Sequence, residues 1–154
     1  MICRRFCCRL AVATALCAVT LIASARNSQA QGRRAVSLST TGQHLPFSEG
    51  IIAGKTLYVS GLQGTDAQGK LEAGITAQTR AALENIRLVV TRAGFSMKEL
   101  VAVNVYLSDI HDFAAMNKVY AAFLPDPKPA RTTVQVAALV NGAKIEISAI
   151  AAKD

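Results

Sequence analysis

The chain has 154 residues, 51% hydrophobic and 18% charged, with a formal net charge of +7, which is enough apolar material for one domain with its own core. All four cysteines (Cys3, Cys7, Cys8, Cys17) and four of the arginines fall in the first 30 residues. Without that segment the four lost arginines take +7 to +3 and no thiol remains; this excludes a disulfide framework, a zinc site and a cysteine nucleophile, and leaves little case for a nucleic-acid partner.

The opening segment has the layout of a secretory signal peptide. Arg4, Arg5 and Arg9 form a basic head, and Leu10 to Ala23 is apolar, with no charge until Arg26. Ser28 and Ala30 supply the small residues that place cleavage after Ala30, with Ala23 and Ala25 as a second option. Leu16 makes Cys17 a poor lipoprotein site. An uncleaved anchor is the alternative, although the apolar run is short for a span of roughly 20 residues. The expected division is 1–30 signal peptide and 31–154 domain, exported to the periplasm or beyond, with no stable membrane anchor once cleaved.

A short strand is predicted at Ala35–Thr40, then a loop through Gly42, Pro46 and Gly50. Ile51–Ala53 and Thr56–Ser60 flank the turn Gly54-Lys55 as a hairpin. Ile75, Thr79, Ala82, Ile86, Val89 and Ala93 recur at helical spacing until Gly94. Val101–Leu107 reads as a strand with Val101, Val103 and Val105 on one side; Asp112 then caps a helix whose stripe is Phe113, Met116, Tyr120 and Phe123. Pro125–Pro129 is a rigid connection, and strands at Arg131–Leu139 and Lys144–Ala151 close the domain around Asn141-Gly142. The order β-β-β-α-β-α-β-β has too few helices to cover both faces of a sheet, so the expected fold is α+β, one sheet with two helices on one face. Its other face then calls for cover, normally a partner subunit.

Familiar motifs fail on context. Gly64–Lys70 has phosphate-loop spacing, but Leu71 stands where a magnesium-binding hydroxyl is needed and no helix starts at the lysine. His44 and His111 lack metal-ligand spacing, and no base for Ser60 is visible. What remains is a scatter of polar residues. By alternation Arg131 and Thr133 share a face of one strand, with Glu146 on the polar face of the last. A solvated surface explains these as well as a site does. Asn117 lies on or beside a helix's apolar stripe, and a buried asparagine needs partners.

In order and spacing these segments resemble the Rid, or YjgF, family of enamine/imine deaminases from about Leu45 to Ala151. They are Pro46-Phe47-Ser48, Leu57-Tyr58-Val59-Ser60-Gly61, Ala77-Gln78-Thr79-Arg80 with Leu83-Glu84-Asn85, Val103–Leu107, Asp112-Phe113, Met116–Tyr120, Pro129–Val134 and Ile145-Glu146-Ile147. The resemblance implies a chorismate mutase-like α+β fold, a homotrimer with its sheets packed as a barrel-like core, and sites in the clefts between subunits. It further implies that Arg131 binds the carboxylate of a 2-enamine or 2-imine acid such as 2-aminoacrylate, a planar two-donor fork suiting that group. Glu146 is implied to position or activate water, and Ser60 and Gly61 to line the pocket as donors, with Asn117, Thr133 and Phe47 at other pocket positions. No cofactor is implied, because an imine carbon is electrophilic once protonated.

The chain departs from the family pattern at four positions. Phe47 stands where many members have tyrosine, Leu45 replaces a glycine, Ser148 replaces a second glutamate, and Val140 a common proline. Losing the phenol leaves substrate range less secure than reaction type. Asn141-Gly142 has the composition of a tight hairpin, which would pair the last two strands directly; the resemblance implies instead that the last strand inserts between others. The alternatives are a trimeric small-carboxylate-binding protein without turnover and, more remotely, an RNA-binding protein or endoribonuclease.

Overall fold

The elements follow the predicted order in the computed structural model, which describes residues 32–38 and 46–154. The expected signal segment, its cleavage point and residues 39–40 of the expected first strand lie outside the described residues; within them that strand ends at Val36, before Ser37 and Leu38. The strands are β1 (Arg34–Val36), β2 (Gly50–Ala53), β3 (Thr56–Gln63), β4 (Leu100–Leu107), β5 (Ala130–Gln135) and β6 (Ile145–Ala152). Two α-helices, α1 (Gly74–Arg92) and α2 (Phe113–Phe123), complete the domain. The single mixed sheet runs β1-β2-β3-β6-β4-β5, antiparallel except for the parallel pair β4 and β5.

Local chemistry accounts for the start and stop of the long elements. Gly54 turns the β2–β3 hairpin at φ +60°, where a side chain would be strained. On α1, Thr79, Ala82, Leu83, Ile86, Val89 and Val90 form the buried stripe, with the Thr79 hydroxyl donating to the Ile75 carbonyl at 2.7 Å. Gly94 ends the helix at φ +82°, and the Phe95 amide reaches back to the Val90 carbonyl. The buried Gln78 amide accepts from the Lys144 backbone N–H and donates to the Glu72 carbonyl. It thus ties the approach to β6 onto α1.

Both helices cover one face of the sheet, as expected. Ile145, Ile147, Ala149 and Ala151 point into that layer with at most 2% exposure, beside Leu57, Val103, Val105, Leu107 and Met116. Each fully buried Leu, Ile, Val or Met side chain here contributes about 1.5–3 kcal/mol. The opposite face, carrying Tyr58, Asn104, Tyr106, Glu146, Ser148 and Ile150, has no helix over it.

Further details differ from the sequence reading. Asn141 and Gly142 do adopt positive φ, 58° and 71°, but the turn sits in a short 3-10 segment and does not make a hairpin. β6 inserts between β3 and β4, while β5 ends at Gln135 and takes the edge beside β4. The burial patterns explain the choice: β6 is apolar at every inward position and takes the sheet's interior, whereas Arg-Thr-Thr-Val-Gln tolerates an edge. Val101 is 48% exposed because β4 bulges between Leu100 and Ala102, which turns it away from Val103 and Val105.

The remaining two differences lie at α2. Its buried stripe is Met116, Val119 and Tyr120, with Phe113 38% exposed. Asp112 makes no side-chain cap; it pairs with Lys144 at 3.2 Å, and Asp109 caps the preceding 3-10 turn by accepting from the His111 N–H. Those N–H and side-chain bonds from His111 hold the exposed Asp109 carboxyl below its usual range.

Candidate functional site

Two groups of the predicted residues assemble in the chain, on opposite faces of the sheet. The first lies at the edge strand. β5 runs parallel to β4 with Arg131 beside Val103 and Thr133 beside Val105, so these side chains rise on the helix side, next to α2. There the Arg131 guanidinium lies over the Tyr120 ring, 4.5 Å from its centroid, and 5.7 Å from that of Phe113. One nitrogen, Nη1, donates to Asn117 Oδ1 at 2.8 Å. Among the described residues, no carboxylate comes within ion-pair distance of Arg131.

A pocket of about 290 Å³ opens here, lined by Asn117, Tyr120, Ala121, Lys128, Pro129 and Arg131. The Lys128 ammonium donates to the Ala121 and Leu124 carbonyls at the end of α2, which leaves Arg131 as the cation facing the pocket. The Tyr120 hydroxyl and the Thr133 Oγ1 are buried without a hydrogen-bond partner among the described residues. Burial raises the Tyr120 phenol above its ordinary value, against the opposing pull of the Arg131 charge, so it stays protonated. A flat guanidinium, oriented by an amide and seated on aromatic faces, with two unsatisfied hydroxyls close by in the fold, has the form of a carboxylate receptor.

The second group lies on the uncovered face. Between the pairs Val59–Ala149 and Leu62–Ile147, β3 sets two residues, Ser60 and Gly61, against the single Ser148. This bulge opens a step in the sheet beside Glu146. Gly61 makes room for the acid: a β-carbon on it would fall 2.2 Å from Glu146 Oε1 and push the carboxylate aside. Glu146 is half-buried and accepts from Gln63 Nε2 at 3.3 Å. The Ser60 hydroxyl donates to the Ser48 carbonyl at 2.6 Å, and its N–H to the Glu49 carbonyl. Ser60 therefore spends its one O–H on the chain and is left to a ligand as an acceptor, not as the donor that the resemblance implies. What it does is moor the segment carrying Phe47, 55% exposed, beside the bulge.

Arg131 and Glu146 do not meet within one chain. Along β4 their partners are Val103 and Tyr106, and a whole strand separates them laterally, so their Cα atoms are about 14 Å apart by standard strand spacings and their side chains leave opposite faces. The pocket residues expected from sequence thus divide into Arg131, Asn117 and Thr133 on one side and Glu146, Ser60, Gly61 and Phe47 on the other. Sequence reading missed Gln63 as a neighbour of Glu146 and assigned Tyr120 to the core stripe alone. Period-two alternation from Leu57 would have turned Gln63 inward, and only the bulge brings it out.

Comparison with known proteins agrees with the fold. Residues 39–153 match the family described as Endoribonuclease L-PSP. The chain is 43% identical over 111 residues to a RutC family protein of Pyrococcus horikoshii, covering 71% of this chain and 88% of that one. It is 40% identical over 108 residues to the 2-iminobutanoate/2-iminopropanoate deaminase of Capra hircus, covering 69% and 79%. Among solved structures, E. coli TdcF with bound serine superposes with a TM-score of 0.70 at 33% identity, covering 79% of this chain and 94% of that one.

Proposed function

The chain belongs to the Endoribonuclease L-PSP family, also called Rid or YjgF, and from that premise we propose that it is a hydrolytic deaminase of reactive 2-enamine and 2-imine acids. It yields 2-keto acids and ammonia, without a cofactor, in clefts between the subunits of a homotrimer. The observation that carries the reading is the Arg131 guanidinium, held by Asn117 over Tyr120 with no carboxylate of the chain beside it among the described residues. Relatives named as imine deaminases and a neighbour binding serine, an α-amino acid, support a substrate carboxylate there.

The separation of the two groups supports the assembly. A small imino acid on Arg131 cannot touch Glu146 of the same chain, but the uncovered sheet face, with Tyr58 51% and Val101 48% exposed, is available to a second copy. In that cleft Arg131 of one subunit anchors the carboxylate, and Glu146 of the next accepts a proton from water as the oxygen attacks the imine carbon. The carbinolamine then forms; the proton passes to nitrogen, the C–N bond breaks, and the hydroxyl proton leaves as the carbonyl closes. Net, one water is consumed and one ammonia released.

The test is ammonia and keto-acid production from 2-aminoacrylate generated in situ by a pyridoxal-phosphate lyase. The expected result is faster keto-acid formation than the spontaneous rate; a rate equal to the spontaneous one contradicts the proposal. We also propose export on the strength of the first 30 residues. N-terminal sequencing of protein recovered from each cell fraction should find Gln31 first in the exported fraction, and Met1 intact in the cytosol as the main species would contradict export.

A further inference from the structure

We infer that Gln63 is a positioning residue that locks the Glu146 carboxylate over Gly61; its kinetic consequence rests on the deaminase reading, its geometric content does not. Gln63 and Glu146 are cross-strand partners in the β3–β6 register. In unbroken alternation Gln63 would share the inward face of Leu57 and Val59. The extra residue at Ser60-Gly61 reverses that sense, so Leu62 turns inward opposite Ile147 and Gln63 comes out beside the acid.

The amide is fixed by two acceptors. Nε2 donates to Glu146 Oε2 at 3.3 Å and to the Val140 carbonyl at 3.1 Å. A flipped amide would set its own oxygen against both, so the neighbours determine which end faces the acid. The two carboxylate oxygens are then distinguished. Oε1 lies over the Gly61 Cα, in space that any β-carbon would fill, and Oε2 is tethered by Gln63. Rotating the carboxylate off Gly61 breaks the Gln63 bond, and the Val140 contact anchors Gln63 to the loop that leads into β6. A base that must meet water and substrate in one geometry gains from this restraint in the rate of the chemical step, with little change in binding.

Gln63→Met keeps the length of the side chain and removes the donor; Gln63→Glu keeps the shape and sets a second carboxylate against the first. Steady-state kinetics should show kcat lowered about tenfold for Met, the scale of one hydrogen bond, and further for Glu, with KM within about twofold. In a Glu146→Gln background, Gln63→Met should change kcat less than about twofold, because there is no carboxylate left to position. A role in folding alone would cost the same in both backgrounds, and equal costs would overturn the inference. A crystal structure of Gln63→Met gives a readout independent of turnover: the Glu146 carboxylate is expected off Gly61 or split between rotamers, and an unchanged single rotamer would overturn the inference even if the wild-type protein proves to have no deaminase activity.

Discussion

Replacing Arg131 with alanine is expected to lower kcat/KM for 2-imino acids about a thousandfold, with a large rise in KM. Truncating one member of a hydrogen-bonded charge pair in a desolvated cleft costs about 2–5 kcal/mol, and each 1.4 kcal/mol is about a factor of ten. The local structure argues for the upper part of that range. Arg131 is held in place before any ligand arrives, by Asn117 on one nitrogen and by the Tyr120 ring beneath it, so little ordering entropy is spent on binding. Lysine should not rescue the site: an ammonium lacks the planar fork and cannot lie flat on Tyr120. Folding stability should fall by only about 1–2 kcal/mol, the scale of the lost Asn117 hydrogen bond and ring contacts, because the residue is exposed in the monomer. Steady-state kinetics beside urea unfolding separate the two effects. Near-normal kcat/KM in Arg131→Ala would sink the site assignment.

Glu146→Gln is expected to behave differently. The amide fits the same space over Gly61 but cannot accept a proton from water, so kcat should fall about 10²–10⁴-fold while KM stays within about twofold. Inhibition by a 2-keto acid, which reports the carboxylate contact, should be unchanged. A variant with normal kcat would remove Glu146 from the chemistry; one with normal kcat and raised KM would move it to binding. The contrast between the two variants, one failing in binding and the other in turnover, also separates the deaminase from a carboxylate-binding protein, which would show no turnover to lose.

The helices and the core were legible because their signals are local. Ile86 and Val89 recur at a helical period before a glycine that only a left-handed cap would want, and Ile145, Ile147, Ala149 and Ala151 alternate without interruption. Pairing was less legible. Asn141-Gly142 adopts the positive φ values of a tight turn, yet composition says nothing about which strand waits beside the next one. The resemblance supplied what the residues did not, namely that β6 inserts into the sheet. The bulges at Ser60-Gly61 and Val101 were invisible for a related reason: one extra residue leaves the pattern of types intact while reversing which face each side chain takes. That reversal is why Gln63 went unread as the partner of Glu146. Tyr120 was read as core by its spacing, and it is buried; its second role, as the floor under Arg131, depends on β5 lying parallel beside β4, which no helical period encodes.

The central claim is that a working site takes Arg131 from one subunit and Glu146 from another. Arg131→Ala and Glu146→Gln chains, each nearly inactive alone, can be co-expressed at equal levels with different tags and the mixed assemblies isolated on both. In a cyclic trimer isolated on both tags, whichever chain is in the minority, one of the three sites has both intact residues, so recovery of about a third of wild-type kcat is predicted. Mixed assemblies no more active than the two parents would show that both residues act within one chain, and would contradict the account.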